Sequence, residues 1–170
     1  PVLSRWAYAL GGLWASRALA IAFTSCGLWF FARATEVCFG RSAAFFAVLA
    51  LGGSGAFFAF AHLAVYDCAA FVGFTACAWS AVELVRGGQA KWIVRGACAG
   101  ALAVVSKYSC IILLLPCAVI AFAHSRRSGR LGVVAASAGA AALAAFYMLI
   151  VHGELVPPLT LEILTGHAQH

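Results

Sequence analysis

Lys107 stands in the stretch AVVSKYSCIILLLP, and between residues 96 and 125 it is the one formal charge in otherwise lipid-like sequence. A lysine at the centre of a membrane span costs roughly 2.5 to 3.5 kcal/mol on insertion scales, so an intramembrane charge is by default a candidate for function. With the hydroxyls of Ser106, Tyr108 and Ser109 beside it, an ammonium at a membrane interface is suited to hold a lipid phosphate. Its plainer role is a snorkelling turn residue whose stem lies among apolar neighbours. Asp67, in AHLAVYDCAAF, opens an apolar segment. A short carboxylate there caps a helix and complements its dipole, or offers negative charge to a hydroxyl-bearing or cationic ligand. Arg17 lies early in the first apolar segment, where contact with lipid headgroups is the ordinary reading, and His62 sits in the connection leading to Asp67. In the tail, His152, Glu154, His167 and His170 give H-x-E and H-x-x-H spacings open to a metal. No cysteine or second carboxylate stands at a defined spacing from them, so an outer loop with Pro157 and Pro158 before a short interfacial helix is the expectation there.

The elements that must position these residues follow from composition. With 65% hydrophobic and 9% charged residues and a mean hydropathy of +1.00, the chain lies outside the make-up of soluble domains. The apolar runs approach the ~20 residues of a spanning helix, and ten-residue alternating barrel strands are absent. The expected fold is therefore all-α, a polytopic transmembrane bundle of about six segments: 14–32, 42–60, 68–85, 92–106, 109–124 and 131–151. Residues 1–151 would form a partial transmembrane core, and 152–170 an extracytoplasmic loop or the start of one. The net charge of +6 does not point to nucleic acid, because the basic residues cluster in short connections between apolar runs. Seven cysteines without any C-x-x-C, five of them (Cys26, Cys77, Cys98, Cys110 and Cys117) inside apolar runs, read as small core residues. The start at Pro1, with no methionine, charged n-region or cleavage site, gives no signal-peptide pattern and reads as a piece of a longer chain.

Charge orients the bundle. The connections RATEVCFGR, RGGQAKWIVR and HSRRSGR carry eight of the eleven Lys and Arg, and the positive-inside rule assigns all three to the cytoplasm. The connection of His62 to Asp67 and the chain beyond His152 then face outward. Arg95 and Arg126 share a side only if the chain crosses an even number of times between them, so this segment is expected to be a hairpin with Lys107 near its turn, at the outer interface with Asp67. A single long tilted helix is the rival, and it would carry Arg126, Arg127 and Arg130 to the outside. The small-residue stretches GACAG and ASAGAAALAA suit close helix packing, and Pro116 is expected to kink the second hairpin arm.

The order of these features resembles the membrane glycosyltransferases of the GT-C class, in particular the dolichyl-phosphate-mannose protein mannosyltransferase and aminoarabinose transferase-like superfamily. The likeness covers residues 1–125 and is carried by the arginine opening a span, CFGRSAAFFAVL, VYD, the basic turn before Trp92 and GALAVVSKYSCIILLLP. The resemblance implies a multi-pass protein of the cell (inner or plasma) membrane, among membrane lipids. It implies a polyprenyl-phosphate-linked sugar donor and a lipid, glycan or protein acceptor at the extracytoplasmic face. It also implies an inverting displacement at the anomeric carbon, with lipid phosphate leaving. By the same resemblance Asp67 matches the second acidic position, near acceptor and donor sugar, and Lys107 matches the lysine that neutralises the donor phosphate. Tyr108, Arg17 and His62 join them as expected substrate-binding residues. The family's principal catalytic aspartate belongs to a first outer loop expected upstream of Pro1. No cofactor is called for, and the use of a divalent metal stays open.

Two other functions remain in view. A secondary transporter would gather its charges near the midplane of repeated halves, whereas here they gather at one mouth and no repeat is evident. A noncatalytic assembly subunit would use the small-residue faces for packing alone. The topology is testable with single cysteines in a background cleared of native ones, probed by an impermeant thiol reagent. Gly153→Cys is expected to label from outside and Ser128→Cys only after the membrane is opened, and the reverse pattern would overturn the orientation.

Overall fold

A computed structural model of the protein describes residues 2–54, 65–107, 110–124 and 127–152. Among them are six helices: α1 (Val2–Phe39), α2 (Arg41–Gly52), α3 (Val65–Gly87), α4 (Ala90–Ser106), α5 (Cys110–His124) and α6 (Arg127–His152). They match the six apolar segments in order, so the chain is an all-helical bundle. Three stretches are long and apolar enough to cross a membrane, Trp6–Phe39, Asp67–Gly87 and Gly129–Tyr147, while Arg41–Gly52 and Cys110–His124 are shorter apolar helices. The second apolar segment extends beyond α2 into residues that lie outside those described.

α1 begins well before residue 14, the expected start of the first span. It is broken at Gly11 and Gly12, where Gly12 has φ 61°, a left-handed value that a side chain disfavours. Gly40, at φ 88°, turns the chain from α1 into α2. Pro116 lies inside α5.

The packing fixes the directions. Thr24 Oγ1 donates to Cys68 Sγ at 3.3 Å, and further along both helices Trp29 and Phe30 meet the Trp79 ring, each at 5.6 Å between centroids, so α1 and α3 run parallel. α3 and α4 run antiparallel, with Gly73 against Ala99 and Ala103, and Ser80 against Gly96. Ala70, Ala103 and Cys110 share one buried cluster, while Ala81, Leu84, Cys117, Ala121 and Val133 share another toward the opposite end. α5 therefore runs parallel to α3, and α4 with α5 forms the hairpin that the charge pattern requires. Its arms of 17 and 15 residues are about 26 and 23 Å long, somewhat short of a ~30 Å hydrocarbon core.

The interior is made of small side chains. Ala20, Ala44, Ala70, Ala81, Ala103 and Ala144 are buried, whereas Leu10, Trp14, Phe46, Ile112, Leu131 and Ile150 are exposed. Lipid solvates large apolar groups as well as a protein core does, so nothing drives them inward, and close helix approach favours residues without bulk. Among the cysteines Cys68, Cys110 and Cys117 are buried as expected of core residues, but Cys26 and Cys98 are exposed on the outer helix faces. At the end holding the basic connections, Trp79 packs edge-on to Trp92, whose ring lies 5.0 Å from the Arg95 guanidinium and 5.4 Å from Lys91. Such aromatic and basic residues anchor helices at a membrane interface.

The tightest approach is at Gly73. A Cβ there would lie 2.6 Å from the Ala103 nitrogen and 2.7 Å from the Ala99 carbonyl oxygen, both backbone atoms of α4. Gly73→Val is therefore expected to force α3 and α4 apart and to cost about 1–3 kcal/mol. Gly139→Ala, with open space around its Cβ, is expected to be neutral or stabilising by up to about 1 kcal/mol. Thermal unfolding in detergent checks both, and equal melting temperatures for the two variants would remove the packing argument.

Candidate functional site

The site is built where α3 begins and where α4 hands over to α5. Helix α4 ends at Ser106, a residue whose short hydroxyl side chain competes with the helical backbone for hydrogen bonds. Lys107 leaves helical geometry, with extended φ −152° and ψ 105°. Its N–H still donates to the Ala103 carbonyl at 2.8 Å, and its carbonyl accepts from the Cys110 N–H at 2.9 Å, so the break is a tight turn pinned at both sides. Asp67 lies in the first turn of α3, where a carboxylate complements the helix dipole.

These residues, forty apart in sequence, meet. Lys107 Nζ donates to Asp67 Oδ1 at 2.5 Å, with the lysine side chain 47% exposed and the aspartate 22%. The contact follows from the packing beneath it: Ala103, one turn before Lys107, is fully buried against the segment of α3 that carries Ala70 and Gly73, a short distance below Asp67. The Asp67 carboxylate, by its hydrogen bond and then its charge, holds the Lys107 ammonium above the ordinary lysine range, while desolvation acts in the opposite sense. A raised value means that the tie contributes fully below the ordinary lysine value and is lost only as pH rises through the elevated one. The ammonium thus persists across the neutral range.

The other expected site residues divide. Arg17 lies on α1, exposed, with its guanidinium 5.9 Å from the Trp14 ring centroid rather than in the ion pair. His62 and Tyr108 lie outside the described residues, as does the histidine-bearing tail beyond His152. The basic connections form a second polar region at the far end, where Arg33 pairs with Glu36 at 2.6 Å beside Arg41.

The residue types gave no sign of a cavity of about 470 Å³ between α3, α4, α5 and α6, lined among others by Gly96, Gly100, Val104, Ile111, Leu114 and Ala140. Its lining is apolar, and Val104 and Ile111 bring it to within about one helical turn of Lys107 on either side. The spacing of small residues along α4 was its one trace in the sequence: glycine and alanine at 96, 97, 100 and 101 leave the space open.

A polytopic helical membrane protein carrying a lysine–aspartate pair at one mouth of its bundle is the class that fold and site define. Residues 6–152 match the dolichyl-phosphate-mannose-protein mannosyltransferase family, and the chain belongs to it. That makes it an integral membrane protein of a GT-C-type glycosyltransferase family. No curated protein and no solved structure matches the chain.

The ion pair is directly testable, since Lys91 and Lys107 are the two lysines of the sequence. In a Lys91→Arg background, acylation by a water-soluble amine reagent at pH 9 reports the free-amine fraction of Lys107. Asp67→Asn is expected to speed it, because the partner that favours the ammonium is gone. Equal rates would mean that the pair does not persist in the membrane-embedded protein.

Proposed function

We propose that this chain forms the donor-phosphate side of a glycosyltransferase that moves a sugar from a polyprenyl-phosphate carrier to an acceptor at the extracytoplasmic face. The observation that carries the reading is the Lys107–Asp67 pair, a half-exposed ammonium and a carboxylate held together at one end of the bundle. In the transfer, an acceptor oxygen forms a bond to the anomeric carbon as the bond from that carbon to the phosphate oxygen breaks. The electron pair goes to the phosphate, and the acceptor proton goes to a general base. Lys107 supplies the charge that stabilises the leaving phosphate, the developing charge that most needs a preorganised partner. Asp67 is the site carboxylate toward acceptor and donor sugar. The apolar cavity beginning one turn from Lys107 supports the same reading, because a lipid tail must remain in apolar surroundings while its phosphate reaches the interface.

The opposite end suits this assignment poorly. Arg33, Arg41 and Glu36 lie with the other basic connections, on the side that the charge rule makes cytoplasmic.

The test is transfer by the full-length enzyme in liposomes, with polyprenyl-phosphate sugar as donor. Lys107→Ala is expected to raise the donor KM by about 10- to 100-fold, the usual worth of a charge-assisted contact, and Lys107→Arg to retain part of the affinity. Asp67→Asn is expected to lower kcat with folding preserved. Unchanged transfer at limiting donor in both Lys107→Ala and Asp67→Asn would overturn the assignment.

A further inference from the structure

We infer that Asp67 is a built-in competitor for the Lys107 ammonium: the ion pair opens when a lipid phosphate takes Lys107 and closes again as that phosphate leaves. The inference rests on the donor reading above and adds to it the ion pair that the geometry shows. The bond to Asp67 Oδ1 takes one of the three N–H donors of the Lys107 ammonium and offsets its charge, so a phosphate that is to engage all three donors must displace the carboxylate.

The two partners are held differently, and this decides which one moves. Asp67 sits on the first turn of α3, anchored by Ala70 and by the backbone approach at Gly73. Lys107 sits in a two-sided turn with extended backbone, and its side chain is twice as exposed as that of Asp67. The long, flexible lysine stem therefore swings between a fixed carboxylate and an incoming phosphate, without any helix repacking. Exchange of one salt bridge for another costs little, since exposed pairs contribute modestly and the ammonium is never left unpaired.

The consequence is a sequence of events. A carboxylate tethered beside the lysine acts at a high effective concentration, so it weakens every phosphate bound there, and most usefully the product. Sugar transfer converts a phosphodiester into a phosphomonoester, which carries more negative charge and would hold Lys107 more tightly. Recapture of the lysine by Asp67 opposes this and speeds release. In the loaded state the freed Asp67 carboxylate becomes available to the acceptor or the donor sugar, so the carboxylate is exposed only when there is a donor to act upon.

The experiment is a double-mutant cycle on the full-length protein in lipid nanodiscs, titrated with a short-chain polyprenyl phosphate that carries no sugar. Lys107→Ala is expected to bind at least about tenfold more weakly than the parent, and Asp67→Asn about two- to fivefold more tightly, with Asp67→Ser giving the same direction. The gain from Asp67→Asn is expected to vanish in the Lys107→Ala background, because a competitor for an absent lysine has nothing to release. A gain that persists in that background would show direct repulsion of phosphate by Asp67 and overturn the exchange, and so would equal affinities of parent and Asp67→Asn. If Lys107→Ala binds as well as the parent, or the parent does not bind, the donor reading itself fails and takes this inference with it.

Discussion

The site depends on the backbone approach of α3 and α4 at Gly73. A Cβ at that position would lie within 3 Å of three backbone atoms of Ala99 and Ala103, so the two helices touch main chain to main chain. In a membrane this is the natural way to hold helices together, because apolar side chains gain nothing by leaving lipid and dispersion contact rises steeply as axes approach. Asp67 is six residues before Gly73 and Lys107 four after Ala103, on helices that run in opposite senses. The two charged side chains therefore emerge side by side at the same end. A wider crossing, with leucine in place of glycine, would leave both helices intact and the ion pair out of reach.

Helix α4 halts at Ser106 and leaves Lys107 extended, with its N–H and carbonyl each committed to a neighbouring helix. Two backbone hydrogen bonds thus fix the position of Lys107, while its side chain stays about half exposed. Asp67, by contrast, is set in the first turn of α3 and is pointed at the lysine by the fold.

The two ends of the bundle carry different physics. At the end of Arg33, Arg86 and Arg95, aromatic rings from α1, α3 and α4 gather around Trp79, with Lys91 and Arg95 over Trp92. This is an anchor, exposed and cation-rich. At the other end Lys107 and Asp67 neutralise each other, and an apolar cavity begins a turn away. In the proposed donor reading this asymmetry has a use, since a lipid-borne sugar presents a phosphate and a long apolar tail together.

Much was determined by the linear sequence, because membrane insertion is governed by terms that are local in it. The free energy of burying an apolar run, the cost of a charge within it and the bias of basic loops can be summed residue by residue. The six segments, the hairpin demanded by Arg95 and Arg126, and the conspicuous position of Lys107 all follow from such sums. What only the tertiary structure decided is which side chains meet and what lies between them. The break at Gly11 and Gly12, the exposure of Cys26 and Cys98 on faces that sequence could not orient, and the position of Arg17 over Trp14 belong to this second kind. So do the 2.5 Å contact of Asp67 with Lys107 and the cavity below it. Helix pairing depends on shape complementarity between faces far apart in the chain, and in an alanine-rich sequence many faces are equally small. The choice of Gly73 against Ala103 is made by the sum of all those contacts at once, and no single stretch of sequence records it.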